Sequence, residues 1–214
     1  MTTVLLADDH DLVRTGLRRL LEDVKEIEVV AEATSGEEAI RFCRELSPQV
    51  VLMDLNMPGM GGLEATRKIL QHNDTIKVIV VTMNEDEVLA QSLLKAGAAG
   101  YLTKGCRINE IVHAIKEVVS HRHYITPQIA TQLALAGTRT EPEQSPFHDL
   151  SERELQVMLL TLEGRKTQEI SDSLCLSPKT ISTYRHRLFS KLGIQTDVEL
   201  ARLAMKHGLT QDAQ

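Results

Sequence analysis

Val50-Val51-Leu52-Met53-Asp54-Leu55-Asn56-Met57-Pro58-Gly59 is the stretch that decides the fold. Four consecutive apolar residues bounded by a polar turn read as a short strand buried on both faces, ending on a carboxylate. Four similar runs flank it in the chain: 3–7 (TVLLA), 28–33 (EVVAEA), 77–82 (KVIVVT) and 100–103 (GYLT). A helical pattern follows each. After the first strand, Val13, Leu17, Leu20, Leu21 and Val24 form one apolar stripe. After the fifth, Ile108, Ile111, Val112, Ile115, Val118 and Val119 do the same. Aliphatic strands alternating with amphipathic helices predict an α/β domain over residues 1–121, a doubly wound parallel sheet of order 2-1-3-4-5.

In that order the first and third strands are neighbours, and ligands bind in the crevice beyond their carboxyl ends. Those ends carry Asp8, Asp9 and Asp54. Converging carboxylates repel one another, so their proton affinities rise or a divalent cation joins them, and an all-oxygen ligand set suits magnesium. The expected ligands are Asp9 and Asp54, with Asp8 bound directly or through water and the Asn56 backbone carbonyl completing the set. An isolated acidic pair is more often simply solvated, but Thr82 and Lys104 end the fourth and fifth strands beside Asp54. A carboxylate can attack phosphorus once metal, lysine and hydroxyl donors neutralise the transferring oxygens. Asp54 is therefore the candidate phosphoacceptor, with Lys104 and Thr82 on the phosphoryl oxygens. His10, His121 and His123 are read as ordinary surface or satisfied histidines.

Beyond residue 121 the periodicity weakens and Thr138, Thr140, Pro142, Gln144, Ser145 and Pro146 accumulate, giving a linker over 122–146 in which Ile129 to Leu135 can add a helix. A capping box, Ser151 with Glu154, restarts the pattern in an all-α domain spanning 147–214. Its four helices are expected at about 151–163, 167–174, 178–192 and 196–207. Thr167 to Leu174, a tight turn and a longer helix from Pro178 have helix-turn-helix spacing. Ile181, Tyr184, Leu188 and Leu192 mark the inward face of the second helix. Lys179, Ser182, Thr183, His186, Arg187 and Ser190 mark the outward one, where short polar side chains can reach base edges and cations can meet phosphates.

Composition sets outer bounds. The 214 residues are 42% hydrophobic and 25% charged, which excludes collagen, low-complexity disorder and a disulfide-dense mini-protein. No apolar run approaches the roughly 20 residues of a membrane span, and the N-terminus lacks a signal-peptide pattern, so a cytoplasmic protein is expected. Cys43, Cys106 and Cys175 are widely spaced and are read as free thiols without assigned chemistry. The net charge of −6 is unevenly distributed: residues 1–124 hold 14 basic against 19 acidic groups, residues 151–214 hold 9 against 8. The two ends are built for different partners.

Asp8-Asp9, Asp54 through Gly59, Thr82 and Lys104 together resemble the receiver domain of two-component response regulators over residues 3–120. That resemblance implies a flavodoxin-like fold, a sensor histidine kinase as phosphodonor, and Tyr101 at the aromatic switch position. The segment from Leu150-Ser151-Glu152-Arg153-Glu154 through Leu176-Ser177-Pro178-Lys179-Thr180-Ile181 to Lys191-Leu192-Gly193-Ile194 resembles the LuxR-type helix-turn-helix of the NarL/FixJ family. It implies major-groove contacts by Ser182, Thr183 and His186, support from Lys179, Thr180, Arg187 and Lys191, and dimerisation through Val198, Leu200, Ala201 and Leu203. Ser182 stands where the family often has lysine and Tyr184 where it often has histidine, which leaves the preferred bases open. Both halves, with Gly61-Gly62-Leu63-Glu64-Ala65-Thr66-Arg67-Lys68, are similar to the GacA/UvrY subgroup. This implies a GacS/BarA-like hybrid kinase, a homodimer when phosphorylated, promoter DNA and RNA polymerase as partners, and activation of small regulatory RNA genes. A different class remains in play: a magnesium-dependent aspartyl-phosphate phosphatase whose helical domain binds protein. Asn56 argues against it, because by family resemblance such enzymes keep an acid two positions after the nucleophile. A third reading makes the first domain a phosphate-independent dimerisation module.

Overall fold

Strand β1 (Thr2–Ala7) opens a parallel sheet continued by β2 (Ile27–Ala33), β3 (Val50–Met53), β4 (Lys77–Thr82) and β5 (Gly100–Thr103). The computed structural model describes residues 1–82, 87–138, 146–174 and 176–207. Spatial order is β2-β1-β3-β4-β5-β6, one strand more than expected. The addition is β6 (Tyr124–Ile125), a two-residue parallel strand on the β5 edge within the segment read as linker. Its length explains the omission, since two residues carry no alternation. Helix α6 (Pro127–Thr138) follows and packs toward α4 (Glu87–Lys95). The remaining linker residues, 139–145, and Cys175 lie outside the described residues.

Side chains alternate across the sheet with period two. Val4, Leu6, Leu52, Ile79, Val81 and Leu102 point to the face covered by α1 (Asp11–Glu22) and α5 (Ile108–Val119). Leu5, Val51, Met53, Val78, Val80 and Tyr101 point to the face of α2 (Gly36–Leu46), α3 (Gly62–His72) and α4. Along α1, Leu21 is buried as its spacing predicts, whereas Leu20 remains exposed at the rim. Burial pushes the Cys43 thiol up to about 12 and the Cys106 thiol up to about 11, so neither supplies a thiolate near neutral pH.

After a 3-10 turn at Pro146–Asp149 come α7 (Glu152–Leu162), α8 (Thr167–Leu174), α9 (Pro178–Leu192) and α10 (Asp197–Lys206). α7 ends before Gly164, α8 before Ser177-Pro178 and α9 at Gly193, each a break in the helical pattern. The Ser151 hydroxyl accepts the Glu154 N–H while the Glu154 carboxylate accepts the Ser151 N–H, the expected capping box. Ser177 caps α9 with Pro178 in its first turn, and Gly193 closes that helix in the left-handed region at φ 66°. Val157, Leu160, Ile170, Leu174 and Ile181 form this domain's core. A second apolar cluster, with Phe147, Leu155, Met158, Leu188 and Leu200, is continuous with the α2–α4 side of the sheet. The two halves thus share buried surface. Leu200 is fully inside its own domain, so of the expected dimerisation residues only Val198 is well exposed, with Ala201 and Leu203 half-buried.

Candidate functional site

Strand register brings the acids together. Ala7 pairs with Met53, so Asp8 and Asp54 leave adjacent strands side by side, and the Asp54 N–H donates to the Ala7 carbonyl at 2.7 Å. Thr82 pairs with Thr103, so Lys104 emerges next to the end of β4; its N–H donates to the Thr82 carbonyl at 2.7 Å. Lys104 Nζ then lies 2.8 Å from Asp54 Oδ2 and 2.8 Å from Asp8 Oδ2. Asp54 is only 3% exposed. Burial pushes its carboxyl up, Lys104 pulls it back, the Asp8 charge adds to the rise, and the net direction is upward. Burial also disfavours the Lys104 ammonium, but its hydrogen bonds to Asp54 and Asp8 prevail and raise its pKa.

Thr82, at the end of β4, and Tyr101, paired with Val80 on the neighbouring β5, are both fully buried. Asn56 is half-buried on the loop after β3, and its backbone N–H helps hold the Asp54 carboxylate. Asp9 faces solvent, its Oδ1 2.9 Å from His10 Nδ1. His10 Nδ1 is also 3.3 Å from Asp8, and the His10 backbone N–H donates to Asp8 Oδ1 at 2.8 Å. His10 is the exposed, satisfied loop histidine its position predicts, its ring resting against two acids. Arg14 carries no such mark in the sequence. It is buried, donates to the Asp8 carbonyl at 2.8 Å, and pairs with Asp11 and Glu32, buttressing the first acidic loop from below. Ligand atoms of Asp8, Asp9, His10 and Asp54 lie within 4.8 Å of one another. Three carboxylates at that spacing fit a hard divalent cation of magnesium type.

A second surface lies on α9. Lys179, Ser182, Thr183, His186, Arg187 and Lys191 are exposed and Thr180 is half-exposed, while Ile181 and Leu188 anchor the opposite face at 0% exposure. The Ser182 and Thr183 hydroxyls donate back to the carbonyls of Pro178 and Lys179, so they must rotate away to reach another acceptor. Thr180 shares a hydrogen bond with the Ser177 cap. Lys191 Nζ lies 2.6 Å from Glu154 Oε2 and ties α9 to α7, a structural role its place in the basic run did not disclose.

Residues 4–116 match the family described as response regulator receiver domain, and residues 148–204 match the bacterial regulatory proteins of the luxR family. The chain belongs to the response-regulator family. This response regulator is 53% identical over 213 residues to the response regulator GacA of Pseudomonas aeruginosa, with 100% of each chain covered. It is 53% identical over 209 residues to the response regulator UvrY of Escherichia coli, covering 98% of this chain and 96% of the relative. The resemblance to the GacA/UvrY subgroup therefore holds along the whole regulator. Among solved structures, RcsB of Salmonella enterica serovar Typhimurium, bound to promoter rprA with phosphomimetic BeF3-, superposes with a TM-score of 0.68 and 26% identity. That match covers 96% of this chain and 99% of the other. The response regulator thus joins a receiver domain to a LuxR-type DNA-binding domain. Among its described residues, no helix is long and apolar enough to cross a membrane.

Proposed function

We propose that Asp54 is the phosphoacceptor of a phosphorelay and that its phosphorylation promotes dimeric, sequence-specific DNA binding by α9. The observation that carries this reading is the single ammonium of Lys104 held 2.8 Å from both Asp54 and Asp8, a cation placed where phosphoryl oxygens would collect. Asp54 attacks phosphorus, the bond to the donor breaks, and the leaving group departs with its electron pair. Lys104 takes one phosphoryl oxygen and the Thr82 hydroxyl another. Asp8, Asp9, Asp54 and the Asn56 carbonyl would hold a magnesium ion, which when bound would supply further neutralising positive charge. When Thr82 turns toward the phosphoryl group, Tyr101 on the neighbouring strand repacks, which shifts the receiver between two arrangements.

Residues 1–121 are the receiver and 147–214 the DNA reader, with 122–146 between them partly folded as β6 and α6. Ser182, Thr183 and His186 read base edges, while Lys179, Thr180, Arg187 and Lys191 sit along the phosphates. The donor is a sensor histidine kinase of the GacS/BarA kind. The targets are promoters of small regulatory RNA genes, engaged as a homodimer with RNA polymerase, in the cytoplasm. Because Asn56 is not an acid, hydrolysis is slow and the phosphoryl group serves as a stored signal rather than a turnover intermediate. Labelling by acetyl phosphate should disappear in Asp54→Asn, and footprints on genomic DNA should strengthen with phosphodonor. Persistent labelling of Asp54→Asn would falsify the site.

A further inference from the structure

The helical domain closes part of the phosphoacceptor crevice. A cavity of about 270 Å³ has Asp9, His10, Asp54, Asn56, Met57 and Lys104 on the receiver side, and on the other side residues of α7, α8 and the turn between them, among them Gln156, Leu160, Glu163 and Arg165. Within that lining His10 is exposed, with 62% of its side chain open to solvent. The walls are held together at the base of α7. Arg153 Nη2 donates to the Gly59 carbonyl at 3.0 Å and lies 3.3 Å from Glu64 Oε2, while Arg153 Nη1 donates to Gln156 at 2.9 Å. A Cβ on Gly61 would meet the Gln156 amide at 2.5 Å, so the loop after β3 and α7 are in close contact there. Leu155 and Leu159 face Leu55 and Leu63 across the same seam. The reading face of α9 stays exposed throughout, so this contact covers the receiver's chemistry and leaves the DNA reader open.

We infer that Arg153 is a specificity-determining residue for the phosphodonor: the closed seam admits small acyl phosphates to Asp54 and excludes protein-borne phosphohistidine until the domains part. The inference rests on the assignment of Asp54 as phosphoacceptor. Size makes the argument. Asp54 is buried, and Gln156, Leu160, Glu163 and Arg165 stand over its crevice, where a donor protein presenting even one helix would need a width of roughly 10–12 Å with its side chains. A two-carbon acyl phosphate fits the cavity, and its P–O bond breaks as the Asp54 oxygen bonds to phosphorus and acetate leaves. A protein-borne phosphohistidine must bring the phosphorus already bonded to its imidazole into line with Asp54, so that the P–N bond breaks as the Asp54 oxygen bonds to phosphorus and the ring nitrogen departs with the electron pair. The protein surface that carries that ring and the wall formed by α7 and α8 compete for the same side of the crevice. Transfer from protein then scales with the fraction of open molecules, whereas transfer from the small donor does not.

The test uses the full chain and two donors, acetyl phosphate and a phosphorylated histidine domain selected beforehand for its ability to label Arg153→Ala. Arg153→Ala should accept phosphoryl from the histidine domain about fivefold faster than the wild type, with acetyl phosphate labelling unchanged within about twofold. Glu64→Ala, made on the receiver side of the seam, should move the same ratio in the same direction, and the two changes together should add little. A generally damaged receiver would lose both labels in parallel, which overturns the inference. Equal rates from the histidine domain for wild type and both variants also overturn it. Asp54→Asn separates the two claims: label persisting there refutes the acceptor assignment, whereas a lost label with an unmoved donor ratio refutes only the role of Arg153.

Discussion

The crevice at Asp54, proposed to accept a phosphoryl group, and the exposed face of α9, proposed to read DNA, pose opposite problems. In the crevice, charged groups are buried and already paired: Lys104 spans two carboxylates and Arg14 locks the loop beneath them. On α9, the polar groups are exposed and bond mainly to their own helix, as Ser182 and Thr183 do. Chemistry at a carboxylate needs groups fixed before the donor arrives, because reorganising them during the reaction would add to the barrier. Reading a sequence of bases needs side chains that can still turn. Preorganisation therefore sits in the sheet and adaptability on the helix surface.

The sharpest way to break this comparison is Lys104→Ala. It should lower the phosphorylation rate with acetyl phosphate by about 10²–10³-fold, as loss of one preorganised charge-stabilising donor does; an unchanged rate would remove Lys104 from the chemistry. The same group predicts a pH effect on stability. Its pKa is raised in the folded state, so its contribution is complete below the unfolded value of about 10.4 and fades as pH climbs through the higher folded one. Chemical denaturation across the alkaline range should show this loss in the wild type and not in Lys104→Ala.

Gly62→Ala comes next. A Cβ there would stand 1.9 Å from the Asp54 carbonyl, a backbone atom that cannot step aside without moving the acceptor loop. A destabilisation of about 3 kcal/mol is expected from urea unfolding, at the upper end for overpacked sites. An effect below about 0.5 kcal/mol would mean that the loop and α3 do not approach so closely.

On α9 the expected effects are smaller and differ in kind. His186→Ala should change base preference by about 1–3 kcal/mol at the position it reads. Lys179→Ala should weaken binding to all sequences alike and make the salt dependence shallower, by about 0.9 in logarithmic slope for each phosphate it no longer neutralises. If both variants behave the same way in competition binding across a set of duplexes, the division into reading and anchoring residues fails.

Glu154→Gln is the smallest, costing about 1 kcal/mol as the hydrogen bonds that Ser151 and Lys191 donate to the carboxylate weaken. Burial pushes the Glu154 carboxyl up, but Lys191 and Ser151 outweigh it and hold it below the usual carboxylate range. Its stabilisation is thus present above about pH 4.3 and lost as pH falls through the lower folded value. Acid unfolding of the wild type should show that loss and the glutamine variant should not.

Much of this was legible residue by residue. Val50 to Met53 read as a buried strand because four apolar residues before a turn leave few alternatives, and Ser151 with Glu154 read as a helix start because that spacing satisfies two backbone donors at once. The α9 stripe of Ile181 and Leu188 lies buried as its period demands. Other features carried no such local mark. Tyr124 and Ile125 are too short a strand to alternate. Arg14 sits within an amphipathic helix, where a buried, threefold-bonded arginine is indistinguishable from an exposed one. Arg153, inside the capping stretch, gives no sign that its partners Gly59 and Glu64 lie in the other domain, far back along the chain.

Local pattern settles the alternation of strands and helices, the carboxylates at the strand ends and the polar face of α9, since each follows from residues a few positions apart. That Lys104 bridges Asp54 and Asp8, that Lys191 is tied to Glu154 and that the helical domain leans over the Asp54 crevice emerges only once the chain is folded. Local pattern sets backbone geometry through sterics and short hydrogen bonds. Which surfaces then meet depends on shape and charge summed over whole faces, a quantity no single stretch of chain contains.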